Sequence, residues 1–247
     1  MYKIYIKDMG VFSDFLKSIT SISQCQEFKL SPDGCRVGTV NDMSSLRAYI
    51  ETSIISSDRE VTIPLKETYK LSKAVSRIYD LNDKDLKDQE MEFDGTFLRY
   101  NSGGYKFNFS TISRKVISKY IADDLKNEMV SDYGFKIDRK TFRNILTTSQ
   151  ICADDGTKVY FYKEDGKILV DIDDKATDNS DSISMPISED FYGEWHSPFQ
   201  CKLDVFRMFN VINSEEVNIC ATTSRVIQVT ASTSDIDLKL ITGITKK

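Results

Sequence analysis

Residues 63–79 read IPLKETYKLSKAVSRIY and change character part-way. The run over 60–65 is strand-like, rich in Ile, Thr and Val. From Leu65 to Tyr79, the apolar residues Leu65, Tyr69, Leu71, Val75 and Ile78 recur at helical spacing. Lys66, Lys70, Lys73 and Arg77 step by 4, 3 and 4, which predicts one shared helix face. Like charges this close repel mildly, and an anionic ligand lying along the face would remove that cost. For one helix alone, a solvated face that only confers solubility fits equally well.

The same grammar extends in both directions. Tyr2–Ile6 alternates like a strand, and residues 10–20 put Val11, Phe12, Phe15, Leu16 and Ile19 on one helical face. Phe28–Leu30, the turn SPDG and Cys35–Val40 read as a hairpin, and residues 46–55 as a further strand. Glu90–Phe93, Asp94-Gly95, Thr96–Tyr100, Gly103-Gly104 and Tyr105–Ile112 continue the strand-and-turn pattern. Residues 113–134 break it. They hold no glycine before Gly134, and Ile117, Ile121, Leu125 and Met129 fall at four-residue spacing, as in a partial helix.

The order then restarts. Phe135–Ile137 reads as a strand and Arg139–Ser149 as a helix with Phe142, Ile145 and Leu146 inward. Val159–Tyr162, the turn Glu164-Asp165-Gly166 and Ile168–Ile172 form a hairpin, followed by a strand at Ser182–Ile187. A fourth helix is predicted over 202–212, then strands at Glu216–Ala221, Arg225–Thr230 and Asp235–Thr242. A strand–helix–hairpin–strand unit thus recurs twice per half. The predicted organisation is a domain over 1–112, a connector over 113–134 and a second, similar domain over 135–247. The class is α+β, with two helices per domain packed on antiparallel sheets.

The chain has 247 residues and a formal charge of −5. Counted separately, the four helices carry 0, +3, +2 and +1, so an acidic chain has basic helices. That excludes a generally basic coat but not a local cationic surface. No zinc finger, basic zipper or stacking motif is present to read bases, and phosphate contact without base contact is sequence-independent. The five cysteines, at 25, 35, 152, 201 and 220, form no CxxC, and His196 is the one histidine, a pattern that speaks against a disulfide framework or zinc site. The N-terminal MYKIYIKDMG lacks the apolar core of a signal peptide, and no run reaches the length of a membrane span; a cytoplasmic location is expected.

Catalytic signatures are absent. His196, in GEWHSPF beside Trp195, has no nucleophile partner such as GxSxG. Asp171, Asp173 and Asp174 lack the glycine and terminal Glu of an EF-hand. Gly103-Gly104 lacks the GK[ST] ending of a phosphate loop. No catalytic residue, metal site or cofactor is predicted.

Taken together, FSDFLKSI (12–19), SPDG (31–34), IPLKETYKLSK (63–73), KIDRKTFRNIL (136–146) and LDVFRMFN (203–210) resemble, in order and spacing, the sliding clamps of DNA replication. The likeness is to the two-domain, trimer-forming kind, proliferating cell nuclear antigen and its archaeal and large-phage counterparts, and runs over essentially the whole chain. It implies a DNA-clamp fold assembled into a ring, with helices lining a central hole. The family's channel cations fall on Lys70 and Lys73 and near Arg139, Lys140 and Arg143; Lys66, Arg77, Lys202 and Arg207 are further candidates. The first helix departs from the family, with Ser13 and Asp14 where basic residues are usual, leaving Lys17.

The resemblance also implies an apolar pocket for partner peptides, with Val40, Met43, Leu46, Ile241 and Ile244 as candidates. Ordinary core packing explains each of these singly slightly better. Subunits would join edge to edge through Tyr105–Ile112 and Ser182–Ile187, forming a homotrimer. Implied partners are double-stranded DNA, the replicative DNA polymerase and a clamp-loader ATPase, at the site of replication (a host cytoplasm, were the source a phage). The alternatives are a clamp-fold processivity factor that does not close a ring, a viral structural protein of repeated sheet domains and a hydrolase using His196.

Overall fold

The structure, a computed structural model, describes residues 1–41, 46–82, 84–122, 131–149, 158–173, 182–195, 198–202, 214–222 and 226–243. The chain divides into two compact units, Met1–Lys126 with Ser234–Leu238, and Asn127–Thr233 with Lys239–Lys247.

The first unit runs β1 (Tyr2–Asp8), α1 (Met9–Thr20), β2 (Cys25–Ser31), β3 (Gly34–Val40), β4 (Leu46–Thr52), β5 (Ile55–Ser57), β6 (Val61–Lys66), α2 (Thr68–Leu81), β7 (Lys87–Phe93), β8 (Phe97–Ser102) and β9 (Tyr105–Ser110). Its strands form antiparallel ladders in the orders β5-β1-β7-β8-β9 and β4-β3-β2-β6. The Asp8 carboxylate accepts from the N–H groups of Gly10 and Val11 at 2.8 and 3.0 Å, which starts α1. The helix buries Met9, Phe12, Phe15, Leu16 and Ile19, while Val11, expected on the same face, is exposed.

Helix α2 begins later than its periodicity suggests. Leu65 is a fully buried strand residue opposite Gln26, Lys66 ends β6, and Glu67 takes a left-handed conformation (φ 56°) before the helix starts. Both strand alternation and helical repeat turn Leu65 inward, so apolar spacing alone could not place the boundary. The two helices pack tightly through small residues. A Cβ on Gly10 would lie 2.5 Å from the Tyr79 ring, and the Ser13 and Ser76 hydroxyls are 2.6 Å apart.

The connector opens with α3 (Arg114–Ile117) and a 3₁₀ turn at Ser118–Tyr120, after which Ile121 is extended. Ile121 therefore falls outside this helix; Leu125 and Met129 lie outside the described residues. This segment lies against β2, β3 and β6. Ile117 is buried, and Arg114 Nε donates to Glu27 Oε2 at 2.6 Å, pairing a carboxylate whose side chain is 1% exposed. The Ala122 N–H donates to the Gly38 carbonyl at 3.3 Å. A Cβ on residue 38 would sit 1.9 Å from the Ala122 oxygen, so glycine is required there.

The second unit runs β10 (Tyr133–Asp138), α4 (Arg139–Ser149), β11 (Lys158–Glu164), β12 (Lys167–Asp173), β13 (Ser182–Ser188), β14 (Phe191–Gly193), β15 (Phe199–Lys202), β16 (Glu216–Ala221) and β17 (Val226–Ser232). Its ladders follow β13-β12-β11-β15 and β14-β10-β16-β17. The last strand, β18 (Ile236–Gly243), has its first residues grouped with the first unit. The core of the second unit is aromatic. Phe135, Phe161 and Phe199 are buried together, with ring centroids 5.1 to 6.4 Å apart, and Tyr133 and Trp195 pack against them. Helix α4 matches its predicted span and buries Phe142 and Ile145, with Leu146 half-buried. Strand β14 has no counterpart in the sequence reading. The predicted helix beginning at Lys202 needs correction at its start, because Lys202 is the last residue of β15.

Candidate nucleic-acid interface

Helices α1 and α2 of the first unit carry Lys17, Lys70, Lys73 and Arg77. Lys17, Thr20, Tyr69, Ser72, Lys73, Ser76, Arg77 and Asp80 line one open groove of about 410 Å³. The small residues Gly10, Ser13 and Ser76 let the two helices approach, which brings Lys17 beside Lys73 and Arg77. Ser13 is 1% exposed and bonded at the helix contact, so a basic residue at this position would be buried. Asp14 faces outward and pairs with Lys17 at 2.9 Å.

The cations differ in what they already hold. Lys70 pairs with Glu67 at 2.7 Å, and the bond raises the Lys70 pKa and lowers that of Glu67. Lys73 and Arg77 are exposed and have no ion pair among the described residues; Lys73 lies 5.4 Å from the Tyr69 ring centroid. Lys66, assigned above to the helix face, is instead an exposed strand residue at the end of β6. Helical stepping therefore holds for Lys70, Lys73 and Arg77 only, and Asp80 falls inside the helix as well.

In the second unit, Asp138, Arg139, Lys140, Arg143, Asn144 and Glu215 line an open groove of about 480 Å³ at the start of α4. Asp138 Oδ1 accepts from the Thr141 N–H at 2.7 Å. That bond holds the Asp138 carboxyl below its usual range, with the Thr141 hydroxyl and the Lys140 charge adding to the effect. Arg139, Lys140 and Arg143 have no ion pair among the described residues. Cations at a helix N-terminus oppose the helix dipole, so this placement disfavours the folded chain slightly and favours an incoming anion.

No protein-family model and no curated protein sequence matches the chain. Solved structures do. Proliferating cell nuclear antigen of A. fulgidus, determined with the C-terminal region of FEN-1 bound, aligns over 100% of this chain and 99% of its own, with a TM-score of 0.73 at 14% identity. The proliferating cellular nuclear antigen of Entamoeba histolytica aligns over 99% of both chains, at TM-score 0.74 and 12% identity. The PCNA2–PCNA3 complex of Sulfolobus tokodaii gives TM-score 0.67 over 98% of each chain, at 12% identity. This chain has the sliding-clamp fold.

Within that fold, the partner-pocket candidates separate. Val40, at the end of β3, and Leu46, at the start of β4, are buried; Ile241 is half-buried in β18. Met43, Ile244, His196, Asp174 and Arg207 lie outside the described residues. Asp171 is occupied, accepting from the Tyr162 and Ser184 hydroxyls. Among the described residues, no cluster of His, Cys, Asp and Glu could hold a metal, and no helix is long and apolar enough to cross a membrane.

The predicted joining strands, β9 and β13, are the last strands of their sheets. Each has one half-finished apolar face: Tyr105, Phe107 and Phe109 on β9, and Ile183 and Met185 on β13, are only half-buried. Beyond the predicted cations the grooves are lined by residues not singled out from sequence as ligand contacts, Tyr69 and Asn144 among them. Tyr69 read as a core position, and only its 36% exposure separates it from Leu71 and Val75.

Proposed function

We propose that this protein is a DNA sliding clamp that encircles duplex DNA and tethers the replicative DNA polymerase. One observation carries the reading: in a chain of net charge −5, Lys73 and Arg77 line one open groove and Arg139, Lys140 and Arg143 another, each without an ion pair among the described residues. Such grooves suit phosphate, which is spaced regularly and carries no sequence information. Several weak, screened contacts let a protein slide, because none fixes a register. The clamp has no chemistry of its own in this reading, and a clamp-loader ATPase opens it.

Self-association follows from the edges. Strands β9 and β13 leave main-chain groups and apolar faces uncovered, a liability that pairing between copies removes. Joining β9 of one copy to β13 of the next is head-to-tail, and three copies close the ring. A partner peptide docks near Val40 and Leu46. The test is polymerase processivity on primed DNA. Replacing Lys70, Lys73 and Arg143 together by Ala is expected to reduce it without changing the fold. Unchanged processivity would refute the channel assignment. A monomer mass by light scattering at micromolar concentration would favour a clamp that grips without closing.

A further inference from the structure

The two free edges are unequal, and the register of each shows why. On β13, Pro186 stands opposite Leu169 of β12. Proline has no N–H to give β12. The Leu169–Pro186 pair is therefore of the kind whose members do not bond each other, and their own main-chain groups point away from the partner strand. For Pro186, that direction is the open edge. Two residues back, Ser184 opposite Asp171 and Ser182 opposite Asp173 are of the same kind. The Ser184 hydroxyl reaches the Asp171 carboxylate, as the closer side chains of such pairs allow. The open edge of β13 thus offers carbonyls at residues 182, 184 and 186 but N–H groups at 182 and 184 only.

Strand β9 has no such gap. The Thr111 N–H donates to the Thr96 carbonyl at 2.8 Å, which makes the neighbouring pair Phe97–Ser110 the non-bonded kind. By alternation Arg99–Asn108 and Asn101–Lys106 are too. The main-chain groups of Lys106, Asn108 and Ser110 then point to the open edge, with every N–H present.

We propose that Pro186 ends the ladder between copies of this chain, keeping the β9–β13 joint short enough to open. This rests on the edge-to-edge reading above. The missing donor also selects the partner: two β13 edges facing each other would carry the deficit twice, whereas β9 is donor-complete. Proline on an edge strand is tolerated for the fold because no ladder bond within the sheet is lost.

The experiment compares wild type, Pro186→Thr and Pro186→Ala by light scattering on dilution and by exchange of labelled subunits. Both variants restore the N–H, so each should dissociate at concentrations lower by about two- to tenfold per joint, with slower exchange. Wild-type stability and exchange in both variants would overturn the inference while leaving the clamp reading intact. A wild-type protein that stays monomeric throughout would overturn the edge-to-edge reading and the inference together. Ser184→Pro removes a second donor and should weaken assembly; unaltered assembly counts against the proposal.

Discussion

The α1–α2 groove and the α4 groove hold similar numbers of basic residues but differ in how much of that charge is already spoken for. In the first, Lys17 answers Asp14, and just outside the groove Lys70 answers Glu67, each across about one helical turn. In the second, Arg139, Lys140 and Arg143 cluster within five residues at a helix start, and the nearby Asp138 carboxylate is turned to the helix backbone instead. Counting charge along a sequence treats these grooves as equals. Geometry ranks them, because an ion pair must be loosened before its cation can serve a phosphate.

That ranking can be broken by experiment under the clamp reading. Arg139→Ala, Lys140→Ala and Arg143→Ala combined should give the largest loss of duplex affinity, with the salt slope falling by about 0.9 for each phosphate contact removed. Lys73→Ala with Arg77→Ala should cost less, and the slope again reports how many contacts went. Binding titrations at several salt concentrations measure both. Equal losses would show that the three α4 cations contribute no more than Lys73 and Arg77 do.

A smaller effect is expected on stability. Asp138→Ala removes the acceptor for the Thr141 N–H and should cost about 0.5–2 kcal/mol in denaturant unfolding near neutral pH. The folded-state pKa of Asp138 is depressed, so its contribution is present above the unfolded carboxylate value and is lost as pH falls through the folded one. The gap between variant and wild type should therefore close in acid. The smallest change is expected from Lys17→Ala and Lys70→Ala, whose cations are shared with Asp14 and Glu67. Asp14→Asn, which frees Lys17, should raise affinity slightly.

Much of this architecture was legible because apolar period and turn chemistry agreed. Arg139–Ser149 follows Asp138, a strong N-cap, and its helix has the bounds read from sequence. The first hairpin turns at Pro32-Asp33, as SPDG indicates. Where two periods coincide, reading fails: Leu65 is inward in either a strand or a helix, and so the start of α2 and the place of Lys66 were misjudged. The connector was legible in part: its four-residue repeat indicates a partial helix, and the described residues are helical from Arg114 through Tyr120. Here the chain leaves helix at Ile121 and meets the Gly38 carbonyl at Ala122, a contact between residues far apart in sequence. The pairing of Lys17 and Lys70 was also hidden, since a three-residue spacing permits an ion pair without requiring it.

Trp195 is the one tryptophan in the sequence, and it stacks on Phe199 with ring centroids 5.4 Å apart and planes 27° from parallel. Its emission consequently reports on the phenylalanine-rich interior of the second unit and is blind to the first. Chemical unfolding followed by tryptophan fluorescence and by far-ultraviolet circular dichroism would coincide if the halves melt as one. The curves would part if they melt in turn, giving an optical readout of cooperativity without any label.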